Sequence, residues 1–397
     1  MFLYNSLTRK KEKFAPHKGK KVSIYACGIT PYDTTHLGHA FTYVFFDALI
    51  RYLKFKGYKI KYAQNVTDID DDILKKAKET NQNWKRLGNF WTQRFLSDMR
   101  ALNVLPPTYY IKATNSVGKI IEAIRSLLKK GLAYEKGGNI YFEVKKFKDY
   151  GKLSRFTEKQ MLLIAKERGG NIEDPLKKHS LDFVLWQKSK PGEPKWKSPW
   201  SNGRPGWHIE CSAMINQYLG KQIDIHGGGK DLIFPHHESE IAQSESFTRQ
   251  KPFVKYWMHT SMVLYEGEKM SKSLGNLVLV SDLLKKHPGD AIRCLLLSHH
   301  YRAPWEYDNK EFLKVTKDLN IIKKALKTRT KKTKSSPTRL KELTALLEDD
   351  FNSPRALNLL ILWSLIIIKE KDGRIQEDLK NGLALLGFSN KLILGRI

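Results

Sequence analysis

Cysteine is scarce in this chain. Cys27, Cys211 and Cys294 are the three among 397 residues, too few for a disulfide scaffold and suited to a reducing compartment. Acidic residues are also outnumbered: 41 Asp and Glu face 70 Lys and Arg, a formal charge of +29. That imbalance predicts a polyanionic partner, with nucleic acid the leading candidate. Long apolar runs are missing too. The longest, Ala356–Ile368, contains Asn358 and Ser364 and is too short to span a bilayer. The amino terminus meets Arg9-Lys10-Lys11 early and does not read as a signal peptide, so a cytoplasmic protein without membrane attachment is expected. What is present in quantity, 41% hydrophobic and 11% aromatic residues, excludes a disordered basic tail and lets the chain bury a core. Its length predicts two to four domains.

Along the chain, Val22–Cys27 has the pattern of a short buried strand and leads into the turn-forming segment Gly28-Ile29-Thr30-Pro31-Tyr32-Asp33. From His39 onward Phe41, Val44, Phe45, Ala48, Leu49, Tyr52 and Leu53 recur at helical spacing until Gly57, and Lys59–Ala63 reads as the next strand. The unit is βαβ and predicts a parallel sheet with helices on its faces. Between about 115 and 200 the pattern changes: a helix over Ile120–Lys130, a hairpin over Ala133–Val144 turning at Gly137-Gly138-Asn139, then the Pro/Gly/Lys-rich stretch Lys188–Arg204. The sheet pattern resumes at Gln222–His226, before Gly227-Gly228-Gly229. After about 310 the chain reads as helical, with a basic linker: residues 321–340 hold eight Lys and Arg and no acid. The expected fold is α/β, a Rossmann-like parallel-sheet domain with an α+β insertion, followed by a helical bundle. Its segments are 1–115 (catalytic domain, first half), 116–200 (insertion), 201–310 (second half) and 311–397 (bundle).

Three groups of residues carry chemistry. Thr35-His36-Leu37-Gly38-His39 opens the first helix, where unpaired N–H groups and the helix dipole form a seat for phosphate and Gly38 permits close approach. Taken alone, two histidines at a helix start also suit capping or packing. Glu268-Lys269-Met270-Ser271-Lys272-Ser273-Leu274-Gly275-Asn276 sets two lysines and two serines on a Gly-flanked loop, which suits a clamp on a polyphosphate, although a solvated surface loop is the usual place of a lysine pair. The third group is dispersed: Cys27, Cys211 in Gly206-Trp207-His208-Ile209-Glu210-Cys211, and His236 and Glu240 in Phe234-Pro235-His236-His237-Glu238-Ser239-Glu240. Pro235 marks a helix start, so His236 and Glu240, at i and i+4, share one face. Two thiolates, an imidazole and a carboxylate suit zinc, although no Cys-x-x-Cys pair makes the spacing diagnostic and buried free cysteine is an ordinary fate. Cys294, within Ala291–Leu297, reads as a core residue.

The His-x-Gly-His helix start paired with a downstream Lys-Met-Ser-Lys-Ser resembles the signature of class I aminoacyl-tRNA synthetases. With the dispersed Cys, His and Glu residues, the chain resembles the cysteine-specific synthetases from about residue 3 to residue 370. The resemblance implies one zinc ion on Cys27, Cys211, His236 and Glu240, which also takes the substrate thiolate. It implies an amino-acid pocket walled by Trp207 with Gly28, Thr30, Thr67 and His226 nearby, and ATP with Mg²⁺ on His36, Gly38, His39, Gly228, Asp231 and Lys272. His36, His39, Lys269 and Lys272 would carry catalysis, and cysteine, ATP and tRNA(Cys) would be the partners of a monomer.

Two departures from the family pattern stand out. The first motif reads His-Leu-Gly-His instead of His-Ile-Gly-His, an apolar exchange. The resemblance also gives out soon after Asp349-Asp350-Phe351-Asn352-Ser353-Pro354, so the small C-terminal anticodon-recognition domain of the family is expected to be missing. Gly28–Ala40 and Glu167-Arg168-Gly169-Gly170 are similar to a sister family, the mycothiol-pathway cysteine ligases, which acylate an aminosugar. Glu240, His226 and the charge of +29 favour the synthetase. A non-catalytic RNA-binding relative would need neither the two phosphate motifs nor four metal donors.

Overall fold

A computed structural model describes every residue except 271–274, 332 and 396–397, together with the side chain of Lys269. An antiparallel hairpin, β1 (Phe2–Asn5) and β2 (Lys10–Lys13), precedes the expected βαβ unit: β3 (Lys21–Ile29), α1 (Leu37–Phe55) and β4 (Lys59–Val66). The strand β3 runs two residues beyond Cys27, because Gly28 N donates to Asn65 Oδ1 at 2.7 Å and Thr67 N to Ile29 O at 3.1 Å, carrying the pairing through an irregularity. Helix α1 is apolar on nearly every side and correspondingly buried on nearly every side. Helices α2 (Asp71–Glu79) and α3 (Trp84–Ala101) then lead to β5 (Tyr109–Lys112) and α4 (Val117–Lys129).

The insertion is a mixed α+β unit. Strands β6 (Ala133–Lys136) and β7 (Asn139–Phe142) form the hairpin, and Gly137 and Gly138 sit at φ +65° and +83°, the left-handed pair that a two-residue turn of this twist requires. After α5 (Glu158–Glu167), β8 (Phe183–Lys188) and β9 (Gly203–Pro205) extend this sheet, and α6 (Trp207–Tyr218) returns to the main domain. Next come β10 (Ile223–Gly229), α7 (Glu238–Thr248) and β11 (Val254–Thr260). The central sheet is parallel throughout, in the order β11-β10-β3-β4-β5. Gly227–Gly229 belong to β10 itself, not to a loop after it; a Cβ on Gly227 would stand 1.7 Å from Met258 O on the neighbouring strand.

A small sheet of β12 (Val263–Tyr265), β13 (Glu268–Lys269) and, beyond α8 (Val280–Lys286) and α9 (Gly289–Leu297), β14 (Trp305–Glu306) follows the main one. The chain then forms the bundle α10 (Asn309–Lys327), α11 (Pro337–Glu348), α12 (Ser353–Glu370), α13 (Gly373–Leu385) and α14 (Asn390–Leu394), with α12 packed against α10, α11 and α13.

Two apolar cores flank the sheet. One takes in α4, α6 and the insertion; the other runs from α1 through α9 into the bundle without a break. Polar ties reinforce the second. The buried Arg293 of α9 bonds Asp47 of α1, Leu386 O at 2.7 Å and Leu102 O at 2.9 Å. Arg51 reaches the same Asp47 at 2.9 Å. Near the far end of α1, Tyr52 Oη and Lys56 Nζ both meet Glu348 Oε1 at 2.9 Å.

Candidate active site

The carboxyl ends of β3 and β10 open into a cleft of about 860 Å³. In an open parallel sheet this is where ligands bind. The amino end of α1 forms one side. His36 is its N-cap, and its Nδ1 accepts from Gly38 N at 3.1 Å, which puts the proton of the neutral ring on Nε2. The rings of His36 and His39 stack with centroids 3.8 Å apart. A Cβ on Gly38 would come within 2.9 Å of His36 Cε1, so glycine keeps this cap in place. The helix start is held by the segment just after the second motif: Leu37 N donates to Val278 O at 2.8 Å and Val280 N to Thr35 O at 3.0 Å. The start of α1 and the segment just after the second motif, more than two hundred residues apart in the chain, are therefore joined through backbone. Lys272 lies outside the described residues, as does the side chain of Lys269, whose backbone pairs with Leu264.

At the floor, one ligand atom each of Cys27, Cys211, His236 and Glu240 lies within 4.8 Å of the others, all four buried. Cys27 comes from β3 and Cys211 from the second turn of α6. His236 sits in the irregular turn Ile233–His237, and the regular helix begins only at Glu238; even so, His236 Nε2 faces Glu240 Oε1 at 3.8 Å. The donor set fits a soft divalent cation. Burial pushes both thiols up, so on their own they would stay protonated, and a coordinating cation reverses that. Glu240 Oε1 is buried with no hydrogen-bond partner, the state of an oxygen aimed at a cation. Its second oxygen is held by His226 Nε2 at 2.8 Å, and His236 Nδ1 is held by His208 Nδ1 at 3.0 Å, which leaves Nε2 of His236 for the ion. A second possible set, Cys27, His226, His237 and Glu240, overlaps the first.

The cleft brings Gly28, Thr30, His36, Gly38, His39, Cys27, Trp207 and Asp231 to one surface. The Trp207 indole stacks on His236 at 4.3 Å, placing a flat apolar wall over the floor, and Asp231 pairs with Arg168 of the insertion at 3.5 Å. Thr67 and His226 are buried behind that surface, and Gly228 sits beside Cys27, its would-be Cβ 3.6 Å from the cysteine Cβ. Sequence reasoning missed His208, His237 and His259, whose rings surround the floor; burial holds them neutral, driving His208 and His259 down to about 3. It also missed Glu210, fully buried, whose carboxyl burial pushes well up. No periodicity links these residues; the pair His236-His237 was the one local signal.

Known proteins resemble this chain in sequence and in fold. Residues 13–317 match the catalytic domain of class I (C) tRNA synthetases. The chain is 47% identical over 368 residues to a cysteine–tRNA ligase of Dehalococcoides mccartyi, covering 90% of this chain and 78% of that one. It is 44% identical over 396 residues to the cysteine–tRNA ligase of Legionella pneumophila strain Corby, covering 98% and 86%. Among solved structures, Mycobacterium tuberculosis methionyl-tRNA synthetase in complex with methionyl-adenylate superposes with a TM-score of 0.65 at 15% identity, over 92% of this chain and 89% of that one, a likeness of fold. No helix among the described residues is long and apolar enough to cross a membrane. By its catalytic domain and by these relatives, the chain belongs to the cysteine–tRNA ligase family of class I tRNA synthetases.

Proposed function

We propose that this chain, a cytoplasmic monomer, is an ATP-dependent ligase that activates cysteine as cysteinyl-adenylate and transfers it to the 3′ end of tRNA(Cys). The observation that carries the reading is the meeting of four metal-ligating atoms at the floor of a cleft whose other side is a capped helix N-terminus. Cys27, Cys211, His236 and Glu240 would hold zinc, which supplies a soft Lewis acid for the substrate thiolate. Cysteine and serine differ by one atom, and pocket shape alone separates near-isosteres poorly. Thiolate affinity for zinc supplies the missing discrimination.

The chain's own residues then position and stabilise. Trp207 closes over the amino acid, with Gly28, Thr30, Thr67 and His226 shaping its surroundings. The cysteine carboxylate attacks the α-phosphate of ATP, releasing pyrophosphate, and no protein nucleophile is needed. His36 and His39, with the first N–H groups of α1, bind the triphosphate, and Gly228 and Asp231 approach the adenosine. Lys272, assisted by Lys269, stabilises the leaving pyrophosphate. Mg²⁺ travels with ATP and keeps water ligands, as that ion prefers. The charge of +29 suits a polyanionic acceptor.

The test has two stages. Zinc-loaded protein should catalyse cysteine-dependent ATP–pyrophosphate exchange; its absence overturns the enzymatic reading. Labelled cysteine offered separately to tRNA and to glucosaminyl-inositol should then appear on the tRNA, and label on the aminosugar would replace one acceptor with the other.

A further inference from the structure

A row of hydrogen bonds at the floor is not used by the chemistry above. It starts at Ser6, just after β1, whose hydroxyl is 2.8 Å from His259 Nδ1. His259 Nε2 is 2.7 Å from His237 Nδ1, and His237 Nε2 is 3.3 Å from Cys27 Sγ. His237 and His259 are 0% and 5% exposed, so these bonds have no water to replace them. Ser6 itself is fixed by backbone: its N–H donates to Trp257 O at 2.8 Å, and Asn5 Oδ1 accepts from Trp257 N at 3.1 Å.

Donor and acceptor counting gives the row a direction. A thiolate has no proton and can only accept, so His237 must donate to Cys27 from Nε2. A neutral imidazole carries one N–H, so His237 Nδ1 must accept, and His259 Nε2 must be its donor. His259 Nδ1 then accepts in turn, and the Ser6 hydroxyl donates. Each member has one role open to it. The same counting separates the two overlapping donor sets. His237 Nε2 donates to Cys27 and its Nδ1 is taken up by His259, so neither nitrogen of that ring is left for an ion. A nitrogen that carries the proton of such a bond cannot also ligate a metal.

We propose that Ser6, His259 and His237 form a one-directional hydrogen-bond chain that orients Cys27 as a thiolate toward the metal, with His237 a positioning residue and not a ligand. This inference rests on the reading of Cys27, Cys211, His236 and Glu240 as the zinc site. It makes the amino-terminal hairpin part of the metal centre, through a serine that reaches the ion only across two rings. Partners of this kind typically account for about 10–100-fold in metal affinity.

The test uses the full chain loaded with cobalt(II), read by its thiolate-to-metal charge-transfer band, and zinc affinity measured by competition with a chromophoric chelator. His237→Leu should weaken zinc about 10–100-fold and shift the band. His259→Phe should shift it in the same direction by less, and Ser6→Ala, a small change in a partly exposed turn that leaves the fold intact, by least. His237→Gln, whose amide can still donate to Cys27, should recover most of the native band. If Ser6→Ala and His259→Phe leave both band and affinity at native values, the chain plays no such part. If His237→Gln loses metal as fully as His236→Ala, His237 is a ligand and the proposal is wrong. A native protein with no thiolate-to-cobalt band overturns the zinc site and this inference together, whereas a native band indifferent to all the variants overturns this inference alone.

Discussion

At the floor of the cleft Cys27, Cys211, His236 and Glu240 are almost wholly removed from water, whereas at its other side His36, Gly38 and His39 are only half-buried on the first turn of α1. The floor is assembled from β3, α6, the turn before α7 and α7 itself, and its ligands are tied to further buried rings. The phosphate side is built mostly from local backbone: a cap, a dipole and a neighbouring loop. The contrast follows from the ligands. On the proposed reading, a thiol is told from a hydroxyl by a metal whose donors cannot move, and dry, doubly held side chains would supply that. Oriented N–H groups at a helix start, by contrast, are a seat that an anion can use without buried side chains.

That contrast can be broken by experiment. The largest effect is expected at the floor: Cys211→Ser should lower zinc content below one per chain. Cysteine-dependent exchange should fall by more than about 100-fold, beyond what outer partners of a metal site account for, while ATP binding by equilibrium dialysis stays native. Unchanged zinc would remove Cys211 from the ligand set. Next comes Lys272→Ala, which should slow single-turnover adenylate formation about 100-fold with the cysteine KM unmoved, the signature of an interaction made in the transition state. A rise in cysteine KM instead would erase the division between the two sides. Gly38→Ala should raise the ATP KM about five- to tenfold by displacing the His36 cap, and equal effects on cysteine and ATP would again blur the boundary. The smallest effect is expected from Cys294→Ser. This cysteine is buried in α9, away from both sides, and the change should leave zinc and exchange within about twofold while lowering stability by about 1–2 kcal/mol in urea titrations. Loss of zinc there would show that thiol burial alone, and not position, governs the site.

The same contrast explains what could be read from the sequence. The β3–α1–β4 unit and the β6–β7 hairpin were legible because periodicity and turn glycines are local signals. So was the capped start of α1, although the cap is His36 and the helix opens at Leu37, ahead of the apolar repeat. The strand was read only as far as His226 because glycine weakens a strand, yet β10 runs on through Gly229, and the close approach of Met258 makes glycine the residue that fits at Gly227. The four floor donors were grouped by their donor chemistry and by the i, i+4 spacing of His236 and Glu240, and family resemblance supplied their role, since spacing cannot join Cys27 to residues some two hundred positions on. Ser6, His208, His237 and His259 had no such help. Each is a single polar residue whose meaning lies in a partner on another strand or helix, and Ser6 and His259 are 253 positions apart. Nor could composition indicate that Thr35–Leu37 and Val278–Val280 share backbone hydrogen bonds.

Helix α1 has a mechanical consequence. Its 19 residues make a rod of about 28 Å. One end is capped by His36 in the cleft, the middle is clamped by Arg293 onto α9 and the close of α13, and the other end is fastened through Glu348 to the close of α11. A rod pinned at three stations cannot tilt at one without loading the others. Any displacement of the bundle would thus load the same helix whose amino end is capped by His36.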